Sequence, residues 1–225
     1  MNYLKRTNTD KKNTMEEIKK IYFTIRSDIK KKLSEFERVW EKGCEEEIFA
    51  ELVFCILTPQ SKAKLCWLAL MNISERNLLL KGNKNQIAKV LNIVRFKNKK
   101  AEYIIKARKL FSSNGSIFIK SKLKQFSDPF IARDWLVGNV RGIGYKEASH
   151  FLRNIGLGEN LAILDRHILK NLKFHRIIQK IPNSLTKNKY YDIEKRMKKF
   201  SEEINIPMSH LDLVMWYKET GEVFK

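Results

Sequence analysis

Two glycines bracketing an isoleucine, Gly142-Ile143-Gly144, are followed at once by Tyr145 and Lys146, and nineteen residues after that lysine comes Asp165. An amine and a carboxylate together suit chemistry at an electron-poor carbon. A neutral amine forms a Schiff base at an aldehyde-level carbon. An ionised carboxylate opposes positive charge that develops on a sugar as its leaving group departs. Each residue also has a plainer reading. Lys146 could be a solvated lysine touching phosphate, and Asp165, in LAILDRHIL, could simply be the N-cap of an apolar helix. Capping and catalysis are compatible for Asp165. His167 lies two residues on, cannot share the face of Asp165, and reads as a surface or phosphate contact rather than a base.

The elements that must carry these groups are helices. In DWLVGNVRGIGYKEASHFLRNIG an apolar helix stops near Gly138, a hairpin turns through Val140 to Gly144, and a second helix bearing Ala148, Phe151 and Leu152 starts at Tyr145. Gly142 and Gly144 let backbone approach a phosphate closely, and the amides at the start of the second helix form an anion site. Arg141 and Arg95 read as phosphate contacts or structural ion pairs. Elsewhere the first fourteen residues read as a loose basic arm. Thr14 is then an N-cap with Glu17 at N3, and one long helix, or two, runs on to Trp40. A deep apolar helix is expected over 45–57. Thr58 and Pro59 then read as the N-cap and first residue of the next helix. Further helical patterns fall at about 75–81, 85–94, 99–111, 129–137, 165–172, 187–203 and 209–218. No stretch alternates strictly between apolar and polar residues within hairpin signals, so the chain is expected to be all-α.

Composition points to a partner rather than to a reaction. Lys and Arg number 45 against 25 Asp and Glu, a formal charge of +20. Such a charge favours polyanions through steering and counterion release, nucleic acid first among them. Deoxyribose C1′ in nucleic acid is an aldehyde-level carbon once its base has left. Cys44, Cys55 and Cys66 form no CxxC and no four-cysteine cluster, which argues against zinc and iron-sulfur sites and suits buried apolar thiols in a reducing cytosol. Apolar runs such as IFAELVFCIL are too short and too charged for a membrane span.

Several separated stretches together resemble a known family: GIGYK with its aspartate nineteen residues beyond the lysine, VRFKNKKAEYI at 94–104, KEASHFLRNIG, LAILDRHIL and SHLDLVMWYKETGEVFK. They resemble the helix-hairpin-helix superfamily of DNA base-excision glycosylases, and within it the type 2 8-oxoguanine DNA glycosylase/lyase family of archaea and bacteria. The resemblance implies a two-lobed helix-hairpin-helix fold around a DNA-binding cleft. One lobe would span 58–154, with the hairpin at about 130–154, and the other would join 1–57 to 155–225, so that Lys146 and Asp165 meet at the junction. It also implies that Lys146 is the nucleophile and Asp165 the catalytic carboxylate. Base recognition falls on Trp216, on Lys225 through its main-chain carboxylate, and on Asp212. DNA contacts fall on Gln60, Arg141, Gly142 and Gly144. A second base-stacking residue is expected near 96–103, with Phe96 and Tyr103 both open. Read without the resemblance, Trp216 is a core aromatic, and Gln60 a solvent-exposed loop residue. The implied enzyme is a cytoplasmic monomer that needs no metal or organic cofactor and acts on double-stranded DNA containing 8-oxoguanine or an abasic site. Two alternatives stand beside it: a glycosylase for another lesion, and a non-catalytic helix-hairpin-helix DNA-binding protein.

Overall fold

A computed structural model describes the backbone of residues 2–224 and the side chains of residues 14–224. In chain order the elements are α1 (Asn2–Lys42), α2 (Glu45–Leu57), α3 (Ala63–Glu75), α4 (Leu78–Lys81), α5 (Lys84–Val90), a 3-10 turn (Leu91–Ile93), α6 (Lys97–Leu110), β1 (Ser112–Ser113), β2 (Ser116–Ile117), α7 (Ile119–Leu123), α8 (Pro129–Asn139), α9 (Tyr145–Asn154), α10 (Arg166–Phe174), α11 (Lys187–Ile204) and α12 (Met208–Thr220). Thr14 does not start a helix, because α1 already runs through it from Asn2. No glycine or proline interrupts the chain before Gly43, and helix propagation costs little once a packed segment has nucleated it.

The all-α expectation holds, and one short ladder joins α6 to α7. β1 and β2 pair antiparallel, Ser112 with Ile117 and Ser113 with Ser116, around Asn114 and Gly115, both at positive φ. Asn-Gly at the centre of a two-residue loop suits the turn that matches strand twist. The strands are too short to show any alternation. The TPQS stretch is also corrected. Thr58 ends α2 as its C-cap, and α3 begins only at Ala63, because Gln60 takes φ 55 and no helix continues through a left-handed residue.

The chain forms two compact units, Phe36–Gly158 and a second made of the residues up to Glu35 with Glu159–Phe224. Residues 36–57, assigned by resemblance to the lobe of the chain ends, therefore group with the central unit. The reason is α2: from Ile48 to Leu57 every residue but Ala50 is buried, and the helix packs against α3, α6, α7 and α9. In the other unit α12 packs on α10 and α11, and Ile18, Tyr22, Ile25 and Ile29 of α1 are buried at i, i+4, i+7 and i+11. No helix among the described residues is long and apolar enough to cross a membrane.

Candidate active site

The sequence-predicted residues divide between the units. In the central unit, α8 and α9 pack together around the hairpin. Val140 and Ile143 are buried and plug it from behind. Gly142 takes φ +93, and a Cβ there would collide with the ring of Tyr103 on α6. Both facts demand glycine. Gly144 precedes the first residue of α9, and its amide donates to Glu147 Oε2 at 3.0 Å. That amide, expected as part of an anion site, is thus occupied by a carboxylate of the same helix. Arg141 is exposed.

Lys146 lies in the first turn of α9, with its side chain 22% exposed. Its Nζ donates to Thr58 Oγ1 at 3.4 Å and sits 3.5 Å from Glu147 Oε1. Among ion-paired lysines, Lys84, Lys106 and Lys170 keep between 52% and 66% of their side chains in solvent, whereas Lys32 and Lys218 keep 24% and 18%, so Lys146 belongs with the more covered ones. Two buried thiols, Cys55 and Cys66, lie near it. Burial pushes the Cys55 thiol well up, reinforced by Glu51 and opposed by Lys146. Burial likewise raises Cys66 to about 11, opposed by Lys100 and Lys146.

The turn that touches Lys146 is built on another lysine. Lys100 on α6 is only 3% exposed. Its ammonium donates to Leu57 O at 2.6 Å, to Pro59 O at 2.9 Å and to Ser61 Oγ at 2.9 Å. Desolvation, with Arg95 adding to it, lowers its pKa from the usual lysine value. Gln60, at the positive-φ position of this turn, is exposed. Phe96 also stands out, 53% exposed at φ 60, with the Arg95 guanidinium 5.3 Å from its ring centroid. A bulky residue held left-handed is an uncommon and costly conformation. Of the two aromatic candidates near 96–103, Tyr103 is therefore committed to the hairpin, and Phe96 is the one presented to solvent.

In the other unit, Asp165 is the N-cap of α10. Its Oδ1 accepts from the amides of His167 and Ile168, each at 2.8 Å. Trp216 on α12 is half-buried, and the His167 ring meets it edge-on, centroids 5.1 Å apart and planes at 82°. His167 is in turn held beside Glu219, with Nδ1 3.7 Å from Oε2. Glu219 accepts from Lys170 Nζ at 2.7 Å and from Asn171 Nδ2 at 3.2 Å. The bond from Lys170 is the main reason that the Glu219 carboxyl titrates below its ordinary value. Asp212, one turn before Trp216, is buried. Lys225 lies outside the described residues.

A hairpin with a half-buried lysine behind it and a helix-capping aspartate fits more than one protein, so likeness to known chains decides the family. A sequence model of the family described as 8-oxoguanine DNA glycosylase matches residues 29–206. The chain belongs to this family. The 8-oxoguanine DNA glycosylase/AP lyase of Fusobacterium nucleatum is 45% identical over 216 residues, covering 96% of this chain and all of its own length, 100%. The enzyme of the same name from Methanocaldococcus jannaschii is 41% identical over 213 residues, covering 92% and 99%. The crystal structure of the Methanocaldococcus jannaschii 8-oxoguanine glycosylase/lyase with a 15mer DNA containing 8-oxoguanine superposes at a TM-score of 0.85. It shows 37% identity and covers 94% of this chain and 99% of that one. The Thermotoga maritima 8-oxoguanine DNA glycosylase superposes at 0.83 with 36% identity, covering 96% and 100%. The fold is thus the helix-hairpin-helix glycosylase fold of these neighbours.

Sequence reasoning missed Lys100, Glu219 and the contact of His167 with Trp216. Lys100 was hidden among many lysines, although it shares a helical face with Ile104 and Ala107, both buried, a register that marks a buried position. Glu219 and the contact of His167 with Trp216 depend on α10 meeting α12, which no local pattern encodes.

Proposed function

We propose that the chain excises 8-oxoguanine from double-stranded DNA and cuts the strand at the abasic site left behind, with Lys146 as nucleophile and Asp165 as its electrostatic partner. The observation that carries the assignment of Lys146 is its sequestration. A lysine serving as a phosphate contact gains from reaching into solvent, whereas this one is drawn back beside Thr58 and Glu147. Membership of the family supports the rest.

The target C1′ is inaccessible in a stacked duplex, so the damaged nucleotide is extruded first. The hairpin backbone around Gly142, with Arg141, grips phosphate at the positive end of α9, and the Gly144 amide joins it only if phosphate displaces the Glu147 carboxylate. Gln60, exposed at the tip of its turn, enters the duplex or faces the opposite base. Trp216 stacks on the extruded base, and such stacking contributes about 1 to 3 kcal/mol. Phe96, exposed on a strained backbone, is the second stacking residue. Asp212 orients the base. The part of Lys225, reading the N7–H that 8-oxoguanine has and guanine lacks, rests on the family resemblance. A buried acceptor left without that hydrogen costs about 1 to 3 kcal/mol, enough to separate two bases of nearly equal shape.

The Lys146 nitrogen then attacks C1′ with its lone pair. The glycosidic C1′–N bond breaks, its electron pair leaves with the base, and the base takes up a proton. The Asp165 carboxylate opposes the positive charge on the sugar while this happens. One amine proton passes to the departing base, the C1′–O4′ bond opens with O4′ taking up a proton from solvent, and the nitrogen keeps its last hydrogen in the protonated Schiff base. Loss of a C2′ proton and departure of the 3′ phosphate oxygen complete β-elimination. No step calls on a metal or organic cofactor, and one copy of the chain, acting in the cytoplasm, suffices.

Borohydride reduction with an 8-oxoguanine duplex tests the nucleophile. The wild-type chain forms a covalent adduct that is lost in Lys146→Gln. An adduct that persists in that variant sinks the assignment. Equal excision of oxidised pyrimidines or uracil across a lesion panel overturns the substrate.

A further inference from the structure

We infer that Lys100 is a positioning residue for the reaction: its buried ammonium fixes the Thr58–Ser61 turn, and through Thr58 it sets where the Lys146 amine rests. The inference rests on the reading of Lys146 as nucleophile.

An ammonium has three hydrogens to donate, and Lys100 finds three oxygens for them, at Leu57, Pro59 and Ser61. The first is a carbonyl at the C-terminal end of α2, where helical carbonyls lack partners within the helix and the dipole favours a cation. The second and third lie on the turn itself. That turn cannot hold its shape as helix, since Gln60 is left-handed. Its own backbone supplies a single bond across it, from the Ser61 amide to Thr58 O at 3.1 Å. Thr58 is tied to α2 through its amide and hydroxyl, both on Cys55 O, and Lys100 ties Pro59 and Ser61, on either side of Gln60, to α6.

Two outputs leave the turn. The Thr58 hydroxyl donates to Cys55 O at 2.9 Å, so its hydrogen is committed and its lone pairs are left to accept from Lys146 Nζ at 3.4 Å. The Ser61 hydroxyl oxygen accepts from Lys100 and also from the Arg95 amide at 3.1 Å, next to the left-handed Phe96. One buried charge thus references the amine of Lys146 and the backbone of Phe96 to the same turn. A lysine that served packing alone would not need its three donors aimed at this one segment. The burial of Lys100 makes the arrangement strict, because an ammonium without all its partners is costly inside a protein.

The test measures Schiff-base trapping on a duplex with a preformed abasic site, in single turnover with enzyme saturating, so that neither base recognition nor weak binding enters. Thr58→Val and Lys100→Met should each slow trapping by about tenfold while the Kd for the duplex changes by less than about threefold. The double variant should trap no more slowly than Lys100→Met alone, because both act along one path. Ser61→Ala removes one acceptor and keeps the charge. It reads the same coupling should Lys100→Met fail to fold, with an intermediate slowing that disappears in the Thr58→Val background. Multiplying effects in the double variants, or wild-type trapping at saturation with only the Kd weakened, overturn the inference. Should Lys146→Gln lose the adduct while Lys100→Met traps normally, this inference alone falls.

Discussion

Asp165 and Lys146 are held in opposite ways. The carboxylate accepts two backbone amides at 2.8 Å, both on Oδ1, and is locked to the start of α10. Among the described residues, the amine has a hydroxyl at 3.4 Å and a carboxylate at 3.5 Å, both on side chains. Their proposed tasks explain the difference. A group that acts through its field gains from being fixed before charge develops. A nucleophile must leave its resting contacts and travel to carbon. Hence one group is part of the backbone's own hydrogen-bond accounting, and the other rests on a support that is itself anchored by Lys100.

The widest test of this contrast separates the two duties of Asp165. Asparagine caps a helix about as well as aspartate, so Asp165→Asn should keep the start of α10 and lose only the charge. Excision in single turnover is expected to slow by about a hundredfold or more, with the melting temperature nearly unchanged. Asp165→Ala should lose the charge and the cap, adding a destabilisation of about 1 kcal/mol. Excision at the wild-type rate in Asp165→Asn would leave Asp165 as a cap alone.

Backbone, rather than side chain, is what Lys146's own hairpin cannot give up. Gly142→Ala meets two penalties, a φ of +93 and the Tyr103 ring, together worth roughly 2 to 6 kcal/mol. Urea unfolding measures the loss. Adding Tyr103→Ala should recover the steric share and leave the φ share, about 1 to 3 kcal/mol. Full recovery would mean that the hairpin tolerates a side chain at this φ.

Those two positions also mark what a linear sequence can and cannot reveal. Asp165 was legible because a cap is local: an aspartate directly before an apolar helix satisfies amides two and three residues on. The hairpin was legible for the same reason, with glycines between two amphipathic patterns. The Thr58–Ser61 turn was misread, since Thr-Pro is a good helix start and the left-handed Gln60 leaves no signature in residue type. Residues up to Thr14 read as an arm because their composition is polar, yet helix continues where nothing breaks it. Phe96 and Tyr103 could not be told apart, because the difference lies in which ring packs under Gly142, a contact across 39 residues of chain.

The smallest effect concerns how the Asp165-bearing unit responds to acid. His175 closes α10 and is 1% exposed, with its ring stacked on Phe200 at 5.9 Å. Burial, with Lys218 nearby and Glu17 opposing, lowers its pKa to about 4 from 6.5. Between those values the unfolded chain binds a proton that the folded chain refuses, so stability rises with pH across that window. The contribution is complete above about 6.5, declines as pH falls, and is gone below about 4. After allowance for screening it amounts to about 2 kcal/mol. Thermal melts across this range should show that slope in the wild type and a flatter one in His175→Phe, which keeps an aromatic ring but cannot take the proton. Because Asp165 caps the same helix, Asp165→Asn should leave the slope in place. A slope that vanished with the aspartate instead would assign the acid sensitivity to the cap.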